Sequence, residues 1–298
     1  MISVIICTRN RFDDFKNTIA SLMQQTRLPD ELIVVDSSDL MQIEEYLNTL
    51  VWPVNIQYFH SNPGLTLQRN YGIRKSSGDL LFFFDDDVDL NINYISLTEK
   101  IFEADVQHAI GAVGGRITNL LNNQSSNLRS WLEKVVFGFI RFFFGLEDLG
   151  SGYYRLSGMP TFPHLLMTSG PCETLTGCCM AFRHKVFEEI DFDEHLPGYG
   201  LMEDVDISKR ILDIGYGVFY NASATLVHRV SPKNRLKLFE WAEMSVVNYD
   251  YLFRKNWSRD WFRHPFYYWA LMGLIVINLH NRKAFQGTLS GIVKLWRK

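Results

Sequence analysis

Apolar and polar positions alternate along the first ninety residues in blocks rather than singly. Residues 2–7, ISVIIC, form a continuous, largely β-branched run, and the polar segment Thr8-Arg9-Asn10-Arg11 follows it. Phe15, Ile19, Leu22 and Met23 then recur at helical spacing, so this stretch predicts a helix, with Pro29 ending the unit. Residues 31–35, ELIVV, predict a second buried strand, and Asp36-Ser37-Ser38-Asp39 supplies turn and N-cap residues for a helix over roughly 40–50. A third strand is predicted over 54–59, a turn at Asn62-Pro63-Gly64 and a helix over 65–75, closed by Ser77-Gly78-Asp79. Leu80 to Phe84, LLFFF, makes the fourth strand and runs directly into Asp85-Asp86-Asp87.

Buried strands alternating with amphipathic helices predict βαβ units, a mostly parallel sheet and an α/β fold. In such open sheets, ligands bind beyond the C-terminal ends of the strands. Thr8–Arg11, Asp36 and Asp85–Asp87 are therefore expected to converge on one crevice. The segment 118–172 is less regular, with an Asn-rich stretch at 119–127, an aromatic run FGFIRFFFG at 137–145 and a Gly/Tyr-rich loop at 150–158. After it come a predicted strand over 175–183, a short helix over 184–190, and an acidic loop and helix over 191–214. A strand over 217–228 ends at His228, and 233–298 reads as helical. No internal repeat occurs.

Length and composition narrow this picture. The 298 residues suit one large α/β domain with a small appendage. A net charge of -3 disfavours a nucleic-acid partner. Cys7, Cys172, Cys178 and Cys179 show no CxxC spacing, which fits buried thiols in a reducing, cytosolic compartment. No basic segment with a following apolar stretch and cleavage site opens the chain, so no signal peptide is expected. The longest apolar stretch, Phe266 to Leu279, has 14 residues. As a helix it would span roughly 21 Å, short of a hydrocarbon core of roughly 30 Å.

From Trp261 to Lys298 there are six Lys or Arg and no Asp or Glu. Arg282, Lys283, Lys294, Arg297 and Lys298 flank apolar residues such as Phe285, Leu289 and Trp296, and Phe266–Trp269 is an aromatic cluster. That composition suits helices lying in a headgroup region, so a peripheral position on the cytoplasmic membrane surface is expected, with packing of Phe266–Leu279 on the catalytic domain or a second subunit as the alternative.

The sharpest chemical signal is Asp85-Asp86-Asp87. Three carboxylates directly after an apolar strand repel one another unless a cation is present. Mg²⁺ or Mn²⁺ prefers such an all-oxygen environment and can bridge a diphosphate; a solvated acidic turn is the ordinary alternative. Glu203-Asp204 follows the Gly-rich loop Pro197-Gly198-Tyr199-Gly200 at the start of a helix. A carboxylate there can act as a general base, and acids at a helix N-terminus also complement its dipole. His228 and Arg69 each have structural as well as functional readings, as a strand-end histidine and a helix charge. Neither GxxxxGK[ST] nor a GxGxxG after the first strand is present, which disfavours a P-loop and a dinucleotide fold.

Taken together, SVIICTRNR, ELIVVDSSD, NPGLTLQRNYGIRKSSGDLLFFFDDDV, GCCMAFRHKVFEEIDFDE and EDVDISKRILDIGYGVFYNASATLVH resemble the family 2 glycosyltransferases of GT-A fold. The likeness covers roughly residues 2–118 and 174–229. It implies a GT-A domain over 1–230, with 119–172 as a variable, acceptor-binding insertion, and a helical extension over 231–298. It also implies a nucleotide pocket lined by Thr8, Arg9 and Arg11, with Asp36 and Arg69 near the base. Asp85 and Asp86 would lie at the nucleotide, Asp85, Asp87 and His228 at a Mn²⁺ or Mg²⁺ ion, and Asp204 beside Glu203 would be the catalytic base.

The implied reaction is inverting transfer of one sugar from a UDP- or dTDP-sugar to a hydroxyl of a glycan or lipid-linked acceptor, in surface-polysaccharide or glycolipid assembly. Two features depart from the pattern. The segment after Asp36 is short, and no QxxRW motif follows His228, which argues against a processive synthase. A nucleotidyltransferase and a non-catalytic carbohydrate-binding scaffold are the alternatives.

Overall fold

Alternate residues of the first strand, β1 (Ile2–Thr8), face opposite sides of a sheet. Ile2, Val4 and Ile6 enter one apolar cluster and Ile5 the other. The same division holds in β2 (Glu31–Asp36), where Leu32 and Val34 oppose Ile33 and Val35. It recurs in β4 (Leu80–Asp85), where Phe82 and Phe84 oppose Leu81 and Phe83. A sheet covered on both faces needs apolar side chains on both, which is why these strands read as unbroken apolar runs.

The computed structural model describes residues 1–49, 51–119, 128–147 and 150–296, with side chains for all of these except 128–134. Two compact units emerge, one formed by 1–120 with 166–235 and the other by 121–165 with 236–298.

The first unit is an α/β sandwich of the expected class. β1 pairs in parallel with β2 and β4, and β3 (Asn55–His60) extends the row beyond β2. Beyond β4 the sheet becomes mixed. β8 (Cys179–Arg183) runs antiparallel to β4, and β6 (Ile110–Ile117) antiparallel to β8. β9 (Gly217–His228) lies parallel to β6 and carries β5 (Val88–Leu90) and β7 (Gly170–Cys172) as antiparallel partners. The helices are α1 (Phe12–Leu22), α2 (Gln42–Asn48), α3 (Leu65–Lys75), α4 (Tyr94–Ala104) and α6 (Glu203–Asp213). Val88 stands opposite His228, so the strand pairing alone brings the end of β9 to the aspartates that follow β4.

The strand expected over 175–183 begins only at Cys179. Two of the residues before it give their backbone amides to side chains instead of a ladder. The Leu175 amide donates to Ser208 Oγ at 3.2 Å, and the Gly177 amide to Asp204 Oδ2 at 2.9 Å. The helix expected over 184–190 is a single tighter turn, His184–Glu188.

The second unit is helical, with α5 (Leu128–Phe143), α7 (Leu238–Trp257), α8 (His264–Asn278) and α9 (Arg282–Leu295). The aromatic run at 137–145 is thus largely helix rather than irregular chain. Phe137, Ile140 and Phe144 are its partly buried positions. α9 packs on α7 through small residues: a Cβ at Gly287 would lie 2.2 Å from the Phe239 carbonyl oxygen, and one at Gly291 2.8 Å from Val246 Cβ. No helix among the described residues is long and apolar enough to cross a membrane. Arg297, Lys298 and parts of the 119–172 segment lie outside the described residues.

Candidate active site

The strand ends bring Thr8, Asp36 and Asp85 to one edge of the sheet, where Thr8 is in register with Asp36 and Cys7 with Asp85. The three aspartates after β4 then diverge. Asp85 keeps about a third of its side chain exposed. Asp86 turns inward, accepting from Thr8 Oγ1 at 2.8 Å and from Arg11 Nη1 at 2.9 Å. Burial pushes its carboxyl up to about 7, against the opposing pull of Arg11 and Thr8. Asp87 is fully buried. Its Oδ2 accepts the Ser231 amide at 2.8 Å and lies 3.6 Å from Arg235 Nη2. Burial opposes its charge, yet His228, the Ser231 amide and Arg11 together hold its carboxyl at about 2.

Asp85, Asp87 and His228 each offer a ligand atom, and these atoms lie within 4.8 Å of one another. Asp87 Oδ1 and His228 Nε2 pair at 3.0 Å, and neither atom has a further hydrogen-bond partner among the described residues. Two ligand atoms 3.0 Å apart, beside the Asp85 carboxylate, fit a hard or borderline divalent cation. Burial lowers the affinity of His228 for a proton, but the two carboxylates outweigh it and raise its pKa above the ordinary value. Asn119 fixes the histidine's backbone from both sides, donating to its carbonyl at 2.7 Å and accepting from its amide at 3.1 Å.

A second cluster sits at the start of α6. Arg69, on α3, is buried and stacks on the Phe192 ring at 5.1 Å. Its Nη1 meets Glu203 Oε1 at 2.6 Å, and its Nη2 meets the Gly177 carbonyl at 2.8 Å and Asp85 at 3.4 Å. The Gly177 amide in turn donates to Asp204 Oδ2, while the Val205 amide donates to Asp204 Oδ1 at 2.9 Å. Burial raises Glu203 to about 8 despite Arg69. Burial also raises Asp204, offset in part by the two amides. Asp204 remains half-buried rather than enclosed.

Residues 3–191 match the family described as Glycosyl transferase family 2. This chain belongs to that family. O-antigen biosynthesis protein RfbC of Myxococcus xanthus is 26% identical over 241 residues, covering 78% of this chain and 18% of that protein. The glucosyl-dolichyl phosphate glucuronosyltransferase of Haloferax volcanii is 22% identical over 275 residues, 86% of this chain and 74% of that one. The chain spans less than a third of several curated relatives, among them 15% of a Rickettsia bellii glycosyltransferase.

Among solved structures, the mannosyltransferase PcManGT of Pyrobaculum calidifontis, in complex with GDP-Man and Mn²⁺, superposes with a TM-score of 0.57 at 15% identity. The match covers 99% of this chain and 75% of that one. TarS 1–349 of S. aureus with UDP-GlcNAc gives 0.52 at 15% identity, over 94% and 74%. These likenesses establish the GT-A fold.

Within this family 2 chain, the residues singled out from sequence are distributed unevenly over the site. Thr8, Arg11, Asp85, Asp86, Asp87 and His228 come together, as do Arg69, Glu203 and Asp204, and Arg69 joins the two groups through Asp85. Arg9 is exposed, and its carbonyl accepts from the Asn234 side chain. Asp36 is fully buried, with Oδ1 accepting from Ser38 and Oδ2 from Tyr58. Asn119, Gly177, Ser231 and Arg235 join the site without having been among the candidates that the sequence offers. Ser231 and Arg235 fall just past the expected domain end at 230, but the first unit runs to 235. The basic residues Arg229, Lys233 and Arg235 after His228 are the signal that could have found them.

Proposed function

We propose that this chain is an inverting glycosyltransferase. It moves one sugar from a nucleoside diphosphate sugar, UDP- or dTDP-linked, to a hydroxyl of a glycan or lipid-linked glycan. The observation that carries the reading is the Asp85, Asp87 and His228 cluster, whose ligand atoms lie within 4.8 Å of one another at the C-terminal edge of a GT-A sheet.

Thr8, Arg9, Arg11 and the Asp36 turn form the nucleotide side of the crevice. Asp85, Asp87 and His228 would hold Mn²⁺ or Mg²⁺, which neutralises charge on a leaving diphosphate. Arg11 and Arg235 add positive charge to the same side. Asp204 accepts the proton of the acceptor hydroxyl as its oxygen bonds to C1 of the sugar. The C1–O bond to phosphate breaks on the opposite face, and the nucleoside diphosphate leaves with the bonding electrons. One direct displacement of this kind inverts the configuration at C1. Glu203, paired with Arg69, keeps Asp204 in place.

The relatives act in O-antigen and dolichyl-phosphate chemistry by their names, which supports an acceptor carried on lipid. Such an acceptor sets the enzyme, as a peripheral protein, on the cytoplasmic face of a membrane in surface-polysaccharide or glycolipid assembly.

The test incubates the protein with Mn²⁺ and, separately, UDP-, dTDP- and GDP-sugars. Release of nucleoside diphosphate and free sugar from a UDP- or dTDP-sugar supports the reading. Pyrophosphate release, turnover of GDP-mannose alone, or binding without turnover overturns it.

A further inference from the structure

We infer that the outer face of α5, with the neighbouring aromatic side of α8, is a docking surface for an anionic lipid bilayer. A helix on the surface of a water-soluble protein presents polar residues outward. α5 does the opposite: Phe139, Phe142 and Phe143 point to solvent, with Phe139 68% exposed. α8 adds Tyr268, Trp269 and Met272, with Tyr268 59% exposed. The two helices form one surface. The Trp269 indole N–H donates to the Phe143 carbonyl at 2.8 Å, and the Trp269 and Phe143 rings meet at 5.2 Å. On the other side of α5, Phe144 packs where a Cβ on Gly273 would lie 2.3 Å away, so α5 is seated on α8 and its apolar face is the one left over.

Charge selects the occupant. The second unit, residues 121–165 and 236–298, carries fourteen Lys or Arg and seven Asp or Glu, a formal +7. The whole chain is -3, so the first unit carries -10. A second copy docked face to face on this surface would bring two +7 units together. A bilayer with anionic headgroups attracts the same charge and accepts exposed Trp, Tyr and Phe at its interface. The Arg155 guanidinium lies over the Phe142 ring at 5.4 Å, an arrangement in which the stem can lie on apolar surface while the head reaches phosphate. The face combines the aromatic cluster of α8 that the sequence suggested with α5, which it did not suggest. It would hold the enzyme where a lipid-linked acceptor is found. The inference rests on that acceptor reading for its purpose, but its test needs no donor, so failure of one can be told from failure of the other.

The experiment is sedimentation of the full chain with vesicles of phosphatidylcholine alone and with one-third phosphatidylglycerol. The expected result is binding to the anionic vesicles and release as salt rises. Phe139→Ser with Tyr268→Ser, both exposed positions, should weaken partitioning by about tenfold or more while leaving the circular dichroism spectrum unchanged. Should that pair fail to fold, quenching of the wild-type tryptophan emission by brominated lipid gives an independent readout. Protein that stays in the supernatant with unquenched emission overturns the inference. So does a double variant that sediments like wild type, or a soluble wild-type dimer that the double variant abolishes.

Discussion

Arg69 Nη1 lies 2.6 Å from Glu203 Oε1, and the two side chains are almost fully buried. The contact ties α3 to the first turn of α6. Through its second nitrogen, the same guanidinium holds the Gly177 carbonyl and approaches Asp85. Arg69 thus links Asp85 of the metal cluster to the peptide that orients Asp204. Its planar fork reaches three oxygens at fixed angles, which a lysine ammonium on a flexible stem does not reproduce.

Arg69→Lys should therefore keep the charge but loosen the geometry. The expected effect is a kcat loss of about 10- to 100-fold, the scale of a misplacement near 1 Å, with a smaller change in donor affinity. Steady-state kinetics with the best donor, alongside calorimetry for donor binding, checks this. Unchanged kcat would show that Glu203 and Gly177 hold Asp204 without Arg69.

Glu203 gives a pH dependence of stability. Its carboxyl moves from an ordinary 4.5 to about 8 in the fold, because burial disfavours the charged form. A folded pKa above the unfolded one means the stabilising contribution is complete below about 4.5 and is lost as pH rises through about 8. Thermal melts of wild type and Glu203→Gln at pH 5.5 and 8.5, in chelator, should show wild type losing more stability over that interval. Parallel losses would mean that Arg69 keeps Glu203 ionised throughout.

The metal cluster can be separated from fold by asking what Mn²⁺ stabilises. At free Mn²⁺ one hundred times its Kd, wild type should gain about 2.7 kcal/mol. Asp87→Ala should lose that gain and all transfer activity, because it removes one ligand and leaves His228 without its neighbour. Activity that survives in Asp87→Ala, or in excess chelator, contradicts the assignment of Asp87 as a ligand.

The parts of the fold that were readable from sequence are those fixed by near neighbours. β1, β2 and β4 announce themselves because each buries both faces, and their register places Thr8, Asp36 and Asp85 side by side. The meeting of Asp87 and His228, 141 residues apart, was reachable only through motif order, since the pairing of Val88 with His228 belongs to the sheet. Gly177 and Asn119 were not readable. Their work is done by backbone groups or by a reciprocal pair of hydrogen bonds, neither of which leaves a compositional mark. Arg69 was visible as a basic residue but not its direction, because burial between Phe192 and Glu203 depends on segments over a hundred residues away.

Asp204→Asn tests the proposed base, and the structure makes the substitution less innocent than its size suggests. Both carboxylate oxygens accept a backbone amide, Oδ1 from Val205 and Oδ2 from Gly177. An asparagine has one acceptor oxygen, so its NH₂ must face one of those amides, at a cost of about 1–3 kcal/mol for the buried donor left unpaired. Lower stability is thus expected whatever the role of Asp204, and the melt alone decides nothing. Proton transfer is read in the kinetics. If Asp204 takes the acceptor's proton, the variant should lose about 10²-fold or more in kcat, while donor affinity measured with Mn²⁺ stays near wild type. Glu203→Gln supplies the contrast, because Glu203 faces Arg69 and need not exchange a proton in the reaction. Should Asp204→Asn turn over normally while Glu203→Gln is dead, the base is Glu203, and Arg69 would then be its charge partner rather than a clamp.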